Sequence, residues 1–239
     1  DVYKRQKIDI VYEDENILLV DKPVGMVVHE DESGDSDTLI NRIKSYLYHK
    51  GEYHPENELS FAPALCNRID RNTCGIVIAA KNAESLRILN QKIRDRELTK
   101  LYLCIACGKV TPDSATLTAY LEKNSDTNTV KISDKKTKSN LTIKTKYKVI
   151  AYNGENSLLK VDLLTGRTHQ IRAHLAYIGH ALLGDGKYGN NKLNKKYGFK
   201  YQALCSYELQ FKFTTDAGCL SYLDGKCFKA KAPDFVKMF

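Results

Sequence analysis

Two short stretches of the chain gather residue types that could do chemistry. In Cys66-Asn67-Arg68-Ile69-Asp70-Arg71-Asn72-Thr73-Cys74-Gly75 a single carboxylate, Asp70, stands between two arginines at the edge of a turn. Opposite charge close by lowers a carboxyl pKa, so such a group stays ionised. An ionised carboxylate at neutral pH suits a nucleophile or a general base. A surface ion pair in a turn has the same composition, and taken alone these ten residues favour that plainer reading.

The second stretch is Leu163-Leu164-Thr165-Gly166-Arg167-Thr168-His169-Gln170-Ile171-Arg172-Ala173-His174-Leu175. A glycine turn opens a predicted helix whose first two turns carry two Arg, two His and one Gln. Donors at a helix N-terminus suit phosphate or carboxylate binding. Zinc is the obvious rival. His169 and His174, five residues apart, fall about 140° apart around a helix, so one ion does not readily take both. A solvated polar helix face is an equal contender.

Weaker signals lie elsewhere. Cys104-Ile105-Ala106-Cys107 is a CxxC in an apolar run with no second pair at zinc spacing, and it reads as structural thiols. Gly184-Asp185-Gly186-Lys187-Tyr188-Gly189 holds three glycines without the spacing of a dinucleotide or phosphate loop. Residues 131–148 carry seven Lys against one Asp. By default that is a solvated face, but Tyr147 among the lysines keeps RNA contact open.

The elements that must position these residues follow from periodicity. Residues 8–20 read as two strands around the turn Glu13-Asp14-Glu15-Asn16, and residues 38–48 as a helix with Leu39, Ile40, Ile43 and Leu47 on one face. Residues 65–80 read as strand, turn, strand, which places Asp70 just before the second strand. Asn82 caps a predicted helix over 82–94. Residues 100–107 alternate as a strand, with Tyr102, Cys104 and Ala106 on one side. Strands are expected around 141–147, 158–164 and 203–213, and a helix over 168–178 closed by Gly179. Strands and helices mix without a βαβ rhythm, so the expected class is α+β.

The chain has 239 residues, 42% hydrophobic and 28% charged, which is ordinary globular composition. Lys and Arg total 37 against 29 Asp and Glu, a surplus of 37 − 29 = +8 that favours a polyanionic partner. Seven cysteines, an odd number, read as reduced thiols and a cytoplasmic location. No apolar run approaches the ~18 residues a membrane span needs. Residue 1 is Asp, not Met. Residues 1–6 are therefore set aside as a cloning or truncation remnant, and 7–239 are expected to form one domain.

Taken in order, these segments resemble the RluA-type family of RNA pseudouridine synthases. Ile10-Val11-Tyr12-Glu13-Asp14 through Val20-Asp21-Lys22-Pro23-Val24-Gly25-Met26-Val27-Val28-His29 is similar to its opening motif. The Asp70 segment is similar to its H-R-L-D-x-x-T-S-G loop, and Lys100-Leu101-Tyr102 to its K-x-Y strand. The 166–175 segment, with Gly184-Asp185 and Tyr188-Gly189, resembles its G-R-x-H-Q-I-R-x-H-L and G-D-x-x-Y-G signature.

The resemblance implies an isomerase that turns uridine into pseudouridine in structured RNA, ribosomal RNA first and transfer RNA second. It implies a bent, largely antiparallel mixed sheet flanked by helices, with a basic central cleft. Asp70 falls on the family's essential aspartate, Tyr102 on the tyrosine that packs against the flipped base, and Arg172 on the arginine that pairs with the aspartate. Arg68 falls on the loop arginine that can occupy the space the base leaves. Arg71, Lys100, Arg167 and His169 are expected to hold RNA. No cofactor, metal, membrane or partner protein is implied; a monomer is expected, and no S4-type domain. Asn67 replaces the family's usual His, and Leu204-Cys205-Ser206 stands where Leu-His-Ala is usual. The alternative is a catalytically silent RNA-binding module. A glycoside hydrolase or a metal-dependent nuclease ranks below both, lacking a second carboxylate or a ligand cluster.

Overall fold

The structure, a computed structural model, describes residues 6–31 and 34–239. Of the expected remnant at 1–6, all but Gln6 lies outside the described residues. In chain order the strands are β1 (Asp9–Glu13), β2 (Ile17–Lys22), β3 (Ala64–Leu65), β4 (Cys74–Ala80), β5 (Leu98–Cys107), β6 (Ser114–Asn124), β7 (Thr129–Ser133), β8 (Leu141–Tyr152), β9 (Asn156–Leu163), β10 (Leu204–Phe211) and β11 (Cys227–Lys229). The helices are α1 (Leu39–Lys50), α2 (Ala83–Arg94), α3 (Gln170–Tyr177) and α4 (Asn191–Tyr197), with short 3-10 turns at Gly218–Leu223 and Asp234–Met238. This is the α+β class expected from the sequence. The chain divides into two compact units, Asp1–Thr99 with Ser206–Lys231 and Lys100–Cys205 with Ala232–Phe239.

In the first unit β2 pairs antiparallel with β1 and β4, and β3 with β4. Leu18 and Val20 lie opposite Ala79 and Val77, and Ile17 and Leu19 opposite Ala80 and Ile78. Successive side chains of a strand point to opposite faces. Ile17, Leu19, Ile76 and Ile78 therefore pack with Ile88 and Leu89 of α2, while Leu18, Val20 and Val77 pack with Leu39, Ile43 and Leu47 of α1. Both faces are covered, which is why β2 and β4 read as unbroken apolar runs. Each fully buried Leu or Ile contributes roughly 1.5–3 kcal/mol. The caps are local chemistry: the Asn82 side chain accepts from the Ser85 N–H and that of Thr38 from the Asn41 N–H.

In the second unit the strand order is β5-β9-β8-β6-β7, antiparallel throughout. Helix α3 lays Ile171 and Leu175 against Tyr102, Leu159, Val161 and Tyr147. Two expectations change here. The helix begins at Gln170 rather than 168, because His169 adopts a left-handed backbone at φ 53° and breaks the helical path. Tyr147 does not stand among the lysines. It is 2% exposed, and its hydroxyl donates to Pro112 O, while Lys144, Lys146 and Lys148 face solvent from the other side of β8.

Candidate active-site residues

Arg68, Asp70 and Arg71 belong to the first unit, and Lys100, Tyr102, Arg167, His169 and Arg172 to the second. Asp70 sits in the loop between β3 and β4, half-buried. The Thr73 N–H donates to Asp70 O at 3.0 Å, closing the turn just after the carboxylate. Behind the turn, the Gly25 N–H donates to Arg71 O at 2.9 Å. Lys22 donates from Nζ to Arg71 O at 2.9 Å, and to Pro23 O and Met26 O, each at 2.8 Å. Three donors thus meet three carbonyls, the full capacity of an ammonium. Burial pushes the Lys22 pKa down to about 8; charge on Cys74 and Asp70 opposes that shift. Sequence reasoning gave Lys22 no role; its signals were the polar Asp21-Lys22-Pro23 break after an apolar strand and its place in the opening motif.

The two arginines flanking Asp70 have different surroundings. Arg71 reaches outward, Nη2 to Asp31 at 3.3 Å and Nη1 to Asp35 at 3.8 Å. Arg68 is exposed, and its charge helps hold His29 below the usual imidazole range, after burial and together with Lys44. Asn67 accepts the Ile78 N–H through Oδ1 at 2.8 Å, tying the loop to β4, while its Nδ2 is buried without a hydrogen-bond partner. A neutral amide thus does anchor the loop, at the cost of one unmet donor, worth about 1–3 kcal/mol. Gly75 has φ +115°, and a Cβ there would overlap the Ser206 backbone, so the second residue of β4 must be glycine.

In the second unit Tyr102 is 7% exposed and pairs with Val161 across β5 and β9. Lys100 is half-buried two residues earlier, and Arg167 is exposed. His169, in the left-handed residue just before α3, and Arg172 of α3 both reach Tyr188. His169 Nδ1 lies 2.9 Å from the Tyr188 hydroxyl, and the Arg172 guanidinium lies 5.3 Å from the centre of the Tyr188 ring. Arg172 donates from Nε to Asp185 Oδ2 at 2.6 Å and from Nη2 to Oδ1 at 3.0 Å. Burial raises the Asp185 carboxyl, but its hydrogen bonds with Arg172 and with the Tyr188 and Lys187 N–H groups outweigh that and hold it low. His174 takes a different direction: its Nδ1 is 2.8 Å from Thr145 Oγ1, and burial lowers its pKa to about 4. The two histidines have separate side-chain partners.

The sequence matches the model of the RNA pseudouridylate synthase family over residues 16–177, a span that holds Asp70, Tyr102 and Arg172. An uncharacterized RNA pseudouridine synthase of Mycoplasma genitalium is 37% identical over 214 residues, covering 87% of this chain and 64% of that protein. The ribosomal large subunit pseudouridine synthase D of Borreliella burgdorferi is 34% identical over 183 residues, covering 76% of this chain and 55% of that protein. The chain thus spans somewhat over half the length of these relatives. Among solved structures, human RNA Pseudouridylate Synthase Domain Containing 4 superimposes with a TM-score of 0.74 at 19% identity, covering 96% of this chain and 90% of that one. Human RNA Pseudouridylate Synthase Domain Containing 1 does so with a TM-score of 0.71 at 22% identity, covering 98% and 85%. At those identities the likeness is one of fold.

Proposed function

The chain belongs to the RNA pseudouridylate synthase family, and on that premise we propose that it isomerises uridine to pseudouridine in structured RNA. The observation that supports the reading is the loop of Asp70, the residue assigned by resemblance to the family's aspartate, on a turn held from behind by Lys22 and Gly25. A reaction that needs one carboxylate at a defined place needs such a turn.

The isomerisation breaks the N1–C1′ bond and forms a C5–C1′ bond. The C5 proton is lost and N1 gains one, so no electron or group is exchanged with an outside reagent. Asp70 supplies the carboxylate. Arg172 supplies a fixed positive charge, and Tyr102 a ring for the extruded base. Extrusion costs a few kcal/mol, least for an unpaired nucleotide, so a loop of a folded RNA is the substrate expected. The name of the Borreliella burgdorferi relative favours large-subunit ribosomal RNA. Arg68, Arg71, Lys100, Arg167 and His169 are assigned to the RNA in this reading, and the protein acts as a monomer in the cytoplasm.

The test is pseudouridine mapping by carbodiimide labelling and primer extension on RNA from cells with and without the gene. Loss of signal at one or a few uridines is expected. An unchanged map, together with purified protein inactive on unmodified transcripts, would overturn the reading in favour of a silent RNA-binding module.

A further inference from the structure

The 184–189 turn is a phosphate loop by neither spacing nor context, yet it holds the best-built polar cluster of the second unit. We propose that this turn is a positioning device for Arg172, with Asp185 clamping the guanidinium edge and Tyr188, anchored by His169, covering its face. The inference rests on the isomerase reading for what Arg172 does, and on the turn itself for how it is held.

Asp185 is fully buried and Arg172 is 6% exposed. A carboxylate and a guanidinium in two parallel hydrogen bonds fix direction as well as distance. The carboxylate is itself immobilised: Oδ1 also accepts the Lys187 N–H at 2.8 Å and the Tyr188 N–H at 3.0 Å. Its backbone is held too, since Asp185 O accepts from Gly189 N and from Asn194 Nδ2, each at 3.1 Å, and Asn194 Oδ1 accepts from Gly184 N at 2.7 Å. Gly184 has φ +85°, and a Cβ there would overlap Tyr201 O, so the turn admits only glycine at this position.

Tyr188 completes the device. Its hydroxyl accepts the Val130 N–H at 2.9 Å and bonds His169 Nδ1 at the same distance. With its hydroxyl held by both β7 and His169, the ring lies over the Arg172 guanidinium, a cation–π arrangement that restricts the group's rotation. His169 holds its end in a left-handed backbone that costs a non-glycine residue on the order of 1 kcal/mol. Buried ion pairs are weak stabilisers, because desolvation offsets their attraction. Positional accuracy for Arg172 explains the arrangement better than stability does.

The test uses the purified full chain with Asp185→Asn, Tyr188→Leu and Tyr188→Phe. Single-turnover rate and filter-binding affinity are read on unmodified large-subunit ribosomal RNA transcripts, folded fraction by circular dichroism, and Arg172 Nε–H exchange by nitrogen-15 side-chain NMR. Asp185→Asn and Tyr188→Leu should slow the chemical step by roughly 10- to 100-fold while RNA affinity stays within about twofold. Tyr188→Phe, which keeps the ring, should recover most of that rate. Protected Nε–H in the wild type and in Tyr188→Phe, lost in the other two, is expected. Wild-type rates in Asp185→Asn and Tyr188→Leu would overturn the proposal, as would rate and affinity falling together with folded fraction. A wild type inactive on every transcript would sink the isomerase reading instead. The Nε–H exchange would then decide positioning alone, with equal protection in all four proteins counting against it.

Discussion

Lys22 and Arg71 are joined through the backbone of the Asp70 loop: the buried ammonium donates to Arg71 O at 2.9 Å, one residue after the carboxylate. A positive charge without a hydrogen-bonded carboxylate is an expensive way to hold a loop, and it leaves a thermodynamic signature. Lys22 has a folded pKa near 8 against an ordinary value of 10.5. Below pH 8 both folded and unfolded chains carry the proton, and the folded chain bears the full cost of burying the charge. Between pH 8 and 10.5 the unfolded chain binds more protons, so stability rises with pH.

The prediction compares wild type with Lys22→Met in urea melts. The wild type should gain on the variant by on the order of 2 kcal/mol between pH 8 and 10. Near pH 7 the variant should still slow turnover, because three carbonyls around the Asp70 turn lose their donor. Parallel stability profiles for the two proteins would show that Lys22 does not titrate as its burial requires.

His174 supplies the acid-side counterpart. Burial lowers its pKa to about 4 from 6.5, so between those values the unfolded chain takes up a proton the folded chain refuses. Stability is intact above pH 6.5 and falls as pH drops toward 4. His174→Gln, which can still bond Thr145 Oγ1, should flatten the fall between pH 6.5 and 4. Thermal melts at pH 7, 6 and 5 would check it, and an unchanged acid slope in the variant would put the source elsewhere.

What could be read in the sequence was what local periodicity encodes. Strands β2 and β4 show as continuous apolar runs because helices cover both faces, and α2 shows because Asn82 caps it. The alternation over 141–148 also held the answer for Tyr147: it shares odd positions with Ile143, and the lysines occupy even ones. The start of α3 was not legible, since nothing in the letters marks His169 as left-handed. Nor were the partners of Lys22 and Arg172, because those pairings are made by the fold. Arg71 lies 49 residues beyond Lys22, and Asp185 lies 13 beyond Arg172.

Asp70→Asn is the sharpest test of the site. It keeps shape and the Thr73 N–H to Asp70 O turn bond, which is made by backbone. Pseudouridine formation should disappear, and affinity for the same transcript should stay close to wild type. Tritium release from C5-labelled RNA reads the first, and filter binding the second. Equal turnover in the variant would remove Asp70 from the chemistry.

The lysines of β8 should contribute affinity without direction. Lys144, Lys146 and Lys148 stand on one face of the strand, opposite the hydroxyl residues Thr118, Thr116 and Ser114 of β6. Alternate residues of a strand lie about 6.8 Å apart, which suits three separate phosphate contacts. Each phosphate neutralised adds about 0.7–0.9 to the slope of log affinity against log salt. The triple Gln variant should bind RNA more weakly at low salt and show a slope shallower by about 2–3. Its single-turnover rate at saturating RNA should be unchanged, because none of the three belongs to the α3 cluster of His169 and Arg172. Filter binding across a salt series would check this. An identical slope in wild type and variant would make the lysine row an ordinary solvated face.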